Sequence, residues 1–241
     1  MNYSQTPSPY GGNGYDPQSH AFAMQVSGVL KQVFLKMFLG LIVSGLVAWY
    51  CANSAGYQSF LMNHSSIVWV FFLVEMGIVI GITSALTRMS ATMAALLFYV
   101  FAAINGLTIA QIFWVYSLTS IAKTFFICAG TFGAMSAYGY FTTQDLTKWG
   151  SFLFYALLGL IIMSLVNIFT RSTTFEWIIS GAGVLIFIGL TAWDTQQIKQ
   201  MVLQAPEEWQ GHISTYGALT LYLDFINLFL YLLRFFGNSR D

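Results

Sequence analysis

Charge is what this chain has least of. Nine basic and nine acidic side chains are spread over 241 residues, 7% of the total, whereas an ordinary soluble domain carries about 25%. The balance is zero net charge, which leaves neither a basic face for nucleic acid nor an acidic solvating run. Cysteine is almost absent too, and both copies, Cys51 and Cys128, fall inside apolar segments. There a thiol acts as a small hydrophobe rather than as a disulfide or metal partner. His20, His64 and His212 all lie outside the apolar segments, and no GxSG occurs, so nothing supports a serine nucleophile within the membrane.

What the chain does have is apolar length, with 57% of its residues hydrophobic. A membrane-spanning helix needs about 20 mainly apolar residues. Seven stretches qualify, roughly 34–55, 66–86, 92–116, 121–141, 150–169, 177–198 and 216–236, joined by short connections. The expectation is an all-α, multi-pass bundle embedded in the lipid bilayer, spanning residues 26–241. Residues 1–25, rich in Pro, Gly, Ser and Asn at their start, are expected to form a disordered polar tail, because they cannot bury enough surface to offset the entropy of ordering. With the N-terminus in the cytoplasm, Lys31, Lys36, Arg88, Lys148 and Lys199 fall inside, and Lys123, Arg171, Arg234 and Arg240 outside. Five against four is a slight positive-inside bias in favour of that orientation.

Against this background the intramembrane acids stand out. A carboxylate at the centre of a spanning helix costs about 2.5 to 3.5 kcal/mol on insertion scales. Asp194 lies about one turn before the polar exit of the sixth segment, and Asp224 about two turns into the seventh. They are equidistant from the loop QAPEEWQG that joins those segments. An antiparallel hairpin brings equidistant residues to similar depth. On the last segment Gly217, Thr220, Asp224, Asn227, Tyr231 and Arg234 fall within one arc of about 100°, while the other faces are Leu, Ile and Phe. Such a stripe turns inward, where its polar groups can be satisfied. Two carboxyls in contact cannot both ionise cheaply, so they tend to share a proton; ionised, they suit a hard oxygen-seeking cation such as Ca²⁺. Glu75, in VFFLVEMGIVIG, is the other acid deep in a span. Asn105, Gln111 and Asn167 are expected to bond between helices, and Gly77 and Gly81 form a GxxxG that permits close helix contact.

TAWDTQQIK followed by GALTLYLDFINLFLYLLRFFG, with GTFGAMSAYGYFTTQDL upstream, resembles the Bax inhibitor-1, or transmembrane Bax inhibitor motif, family, especially its bacterial members. The resemblance runs from about residue 22 onward. It implies a seven-helix bundle with the last helix central, in the bacterial inner membrane. It also implies a pH-sensitive calcium leak whose sensor and ion-binding pair matches Asp194 and Asp224. Arg88 matches the family's latch to the pair. Glu75, which has a counterpart in some relatives, is either a candidate for the ion path with Arg234 as its partner or a protonated carboxyl hydrogen-bonded within the bundle. No cofactor is implied, Ca²⁺ being the transported ion.

Two other classes compete. Paired membrane aspartates also define intramembrane aspartyl proteases, but Asp194 stands in AWD and Asp224 in LYLD, without the GxGD glycines that let a substrate backbone approach. An enzyme is therefore not expected. The stronger alternative is a non-conducting regulator that modulates a partner such as a membrane-bound protease, as some bacterial relatives are linked to doing.

Overall fold

The computed structural model describes residues 17–64, 66–85 and 88–238, and among them regular structure is helical throughout. The order is α1 (Pro17–Ala52), α2 (Ala55–Asn63), α3 (Ile67–Ala85), α4 (Ala91–Ile109), α5 (Ile112–Val115), α6 (Leu118–Phe141), α7 (Thr147–Thr170), α8 (Thr173–Gln204) and α9 (Gln210–Phe236). Among the described residues seven spans are long and apolar enough to cross a membrane, α4 and α5 together making one of them and short α2 none. Each helix start needs a partner for its free backbone N–H groups. Four serines supply one: Ser54, Ser90, Ser117 and Ser172 accept from the third residue beyond them, opening α2, α4, α6 and α8.

The first helix begins earlier than expected. Residues 17–25, assigned to the tail, continue α1, with Pro17 at its first position. A proline is tolerated there because its missing N–H is one that no helix carbonyl would accept, and the AFAM that follows contains good helix formers. Residues 1–16 of the expected tail lie outside the described residues.

In lipid, helices associate through van der Waals contact and hydrogen bonds rather than by expelling water. The centre is held by α9, which packs against α8, α1, α6 and α4, with a lesser contact to α3. Leu221, Tyr222, Leu228 and Leu233 on α9 are fully enclosed, together with Phe98 and Phe101 of α4. The outer helices show the converse: α3 leans mainly on α4 and α7 mainly on α8, and their outward faces carry exposed Trp69, Leu73, Phe152, Ile162 and Phe169. A cysteine placed at Leu228, 0% exposed, is expected to resist a lipid-soluble maleimide, whereas one at Phe169, 86% exposed, should react fully. Comparable labelling at both positions would refute a central α9.

Where the helices meet most closely, glycine makes room. A Cβ on Gly106 would stand 2.7 Å from the Ser44 carbonyl oxygen of α1, one on Gly183 would stand 2.6 Å from the Tyr231 ring, and one on Gly139 would overlap the Ala192 carbonyl of α8. Gly77 and Gly81 do not serve this way. A Cβ on either would meet nothing within 4 Å, so the GxxxG of α3 licenses a contact that the fold does not make.

Candidate functional site

α8 and α9 form the hairpin expected around residue 209, closed by a 3₁₀ turn at Glu207–Trp209. The polar stripe of α9 lies along α8. Gly217 faces Ile198, Asp224 faces Asp194, Tyr231 stacks on Phe187 with ring centroids 5.8 Å apart, and Arg234 reaches Glu176. The first three steps are seven residues apart, which is two helical turns and keeps each side chain on the same side of α9. Tyr231 passes over Gly183 and lies beside Ser164 of α7. Asn227 leaves the pattern and donates to Leu223 O of its own helix, at 2.8 Å.

The structure brings Asp194 and Asp224 within hydrogen-bonding reach of each other. Asp224 is buried while Asp194 keeps an accessible edge. Asp224 Oδ2 is buried with no donor from any described residue. Two bare carboxylates in contact repel each other, a repulsion that a shared proton or a cation between them would relieve. Thr191 and Thr195, on either side of Asp194, turn away and donate to carbonyls one turn back in α8. Tyr216 lies beside Thr220 and within electrostatic reach of Asp194.

Glu75 belongs to a second buried network. Thr108 Oγ1 donates to its Oε1 at 2.7 Å, and Asn105 Nδ2 approaches its Oε2 at 3.4 Å. Tyr222 donates to Asn105 Oδ1 at 2.8 Å and lies 2.6 Å from Ser44 Oγ, which also contacts the Ala102 carbonyl. Four helices, α1, α3, α4 and α9, are thereby pinned at one point. Asn105 is thus an interhelical partner, as its type suggested. Asn167 instead caps the end of α7, accepting from Ser172 N and Thr170 Oγ1, and Gln111 lies at the break between α4 and α5.

Two expected partnerships are absent from this arrangement. Arg234 pairs with Glu176, Nε to Oε1 at 3.9 Å, rather than with Glu75. Glu176 is 58 residues away in sequence but lies in the first turn of α8, opposite the last turn of α9. Arg88 stands exposed in the turn before α4, and its side chain makes no hydrogen bond or ion pair among the described residues. The structure therefore does not bring Arg88 to the aspartates.

Lys36 was legible only as a charge. It lies within the first span, and its ammonium donates to Ser214 Oγ at 2.7 Å, Thr215 Oγ1 at 2.8 Å and, more distantly, Gly211 O at 3.4 Å. The signal that could have found this was a lysine inside an apolar stretch, matched by a hydroxyl pair in the opening turns of another.

Fold and site together define a multi-pass helical membrane protein with a carboxyl pair inside its bundle. The chain belongs to the Bax inhibitor-1 family: the family model described as "Inhibitor of apoptosis-promoting Bax1" matches residues 26–241. It is similar to the inner membrane protein YbhL of Escherichia coli strain K12, 42% identical over 230 residues, covering 93% of this chain and 98% of the relative. A protein of Borreliella burgdorferi is 44% identical over 214 residues, 88% of this chain and 92% of its own length. Protein RP147 of Rickettsia prowazekii is 43% identical over 213 residues, 88% and 90% respectively.

Proposed function

We propose that this protein is a pH-sensitive calcium leak channel of the bacterial inner membrane, with its N-terminus in the cytoplasm and Asp194 and Asp224 as its proton sensor and ion-binding pair. The observation that carries the reading is the contact between those two carboxyls, one wholly buried and the other accessible at an edge. A proton shared between them ties α8 to α9, and loss of that proton sets two like charges against each other. The ionised pair then attracts a hard divalent cation, whose remaining oxygen ligands are water and carbonyls, since Ca²⁺ takes six to eight. One unit thereby links helix packing to ion affinity. Glu75, held by Thr108 and Asn105, is a second station along the path. Arg88 is the latch that engages the pair in another state of the bundle.

The test is Ca²⁺ flux through purified protein in liposomes. Flux that changes between about pH 6 and 8, where one carboxyl of a close buried pair can titrate, is the expected result. Arg88→Ala should move that pH response more than Lys148→Ala does, because a charge-assisted bond to the pair exceeds any interfacial contact. No flux at any pH would overturn the channel reading in favour of a regulator of a membrane partner.

A further inference from the structure

At the end of the bundle opposite the α8–α9 turn lies a pocket of about 200 Å³ between Tyr116, Thr173, Glu176, Trp177, Ser180, Arg234 and Phe235. Its chemistry differs from that of the bundle around it. Glu176 and Arg234 supply one charge of each sign, yet they meet only through a stretched single contact, Nε to Oε1 at 3.9 Å, with side chains 51% and 43% exposed. The Arg234 guanidinium lies over the Tyr231 ring, 5.6 Å from its centroid, but no other hydrogen bond to either side chain exists among the described residues, so the terminal guanidinium nitrogens and one carboxylate oxygen have no hydrogen-bond partner. The Tyr116 hydroxyl, close to both charges, also has none. Trp177 and Phe235 meet edge to face at 4.9 Å beside the pair, and Phe175, Ile178 and Phe236 extend an exposed apolar surface from it.

The depth of this cluster limits what can occupy it. Glu176 lies in the first turn of a spanning helix and Arg234 in the last turn of its neighbour, the level at which polar headgroups meet acyl chains and where tryptophan gathers. We propose that this pocket is a binding site for the headgroup of a zwitterionic aminophospholipid, a phosphatidylethanolamine. The phosphate takes the terminal N–H groups of Arg234, whose planar fork suits it. The primary ammonium donates to Glu176, and the acyl chains run down the surface beyond Trp177 and Phe235. Charge complementarity selects this lipid. An anionic glycerol headgroup would give Arg234 the same phosphate but bring no cation to Glu176, and a choline headgroup has no N–H to give the carboxylate.

The experiment is native mass spectrometry of the full chain released from an equal mixture of phosphatidylethanolamine, phosphatidylcholine and phosphatidylglycerol with identical chains. Wild-type protein should retain phosphatidylethanolamine about tenfold over the other two, the factor expected of one charge-assisted hydrogen bond. Glu176→Gln should bring phosphatidylethanolamine down to the level of phosphatidylcholine, and Arg234→Gln should weaken retention of all three. A second measurement needs no variant. Along the series from ethanolamine through its mono- and dimethyl forms to choline, retention by wild type should fall as N–H groups are lost. Equal retention of the three lipids, a flat methylation series, or a wild-type preference surviving in Glu176→Gln would each overturn the assignment.

Discussion

Replacing either Asp194 or Asp224 by Asn is expected to abolish the pH dependence of Ca²⁺ flux between about pH 6 and 8, and to abolish the same titration in both cases. The reason is contact: the two carboxyls lie within hydrogen-bonding reach on adjacent helices, so the titration belongs to the pair and is lost once either partner is an amide. Asn preserves shape and hydrogen bonding but cannot ionise. A hard divalent ion also prefers charged oxygens to amide ones, so Ca²⁺ binding should weaken in each variant. The double variant should then resemble either single one rather than their sum, as contacting residues that act together are not additive. A wild-type pH profile in either single variant, or plain additivity, would mean that the aspartates work independently.

A single methyl group at Gly139 should destabilise the bundle by about 1 to 3 kcal/mol, the usual range for overpacking a close contact. Its Cβ would overlap the Ala192 carbonyl, and backbone cannot swing aside as a side chain tip can. The control lies two turns away on the same helix. A Cβ on Gly133 meets nothing within 4 Å, so Gly133→Ala should be neutral or stabilising by up to about 1 kcal/mol through helix propensity alone. The two substitutions share their chemistry and should differ in sign, measured as unfolding midpoints in detergent. Ala192 is two residues from Asp194, so Gly139→Ala should also disturb the pH response of flux, which Gly133→Ala should leave in place. Similar midpoints for the two variants would refute the close crossing of α6 and α8.

The spans were legible because lipid imposes a length and a composition that few other structures share. The register of Asp194 on Asp224 was legible because a tight hairpin converts equal distance from the turn into equal depth. What escaped were partnerships between segments distant in sequence. Nothing in the order of residues says that Tyr222 will lie between Ser44 and Asn105, or that Arg234 will meet Glu176 rather than Glu75. Those choices depend on how the helices are arranged around α9, which hydropathy does not encode. The start of α1 escaped for another reason. Residues 17–22 precede the first span, which begins at Ala23, yet they propagate a helix already nucleated in the apolar run behind them.

The central position of α9 bears on how the protein is made. Translation proceeds from the N-terminus, so the helix that completes the interior leaves the ribosome after the other six described spans. Until it arrives, Lys36 lacks Ser214 and Thr215, Ser44 and Asn105 lack Tyr222, and Asp194 lacks its fellow carboxyl. Each of these groups would cost several kcal/mol if left facing hydrocarbon. The nascent six-span intermediate must therefore keep them near the headgroups, against one another or within a water-filled cleft. Insertion of α9 closes that cleft in one late step, so a chain stalled before it would carry an open polar seam that the completed bundle covers.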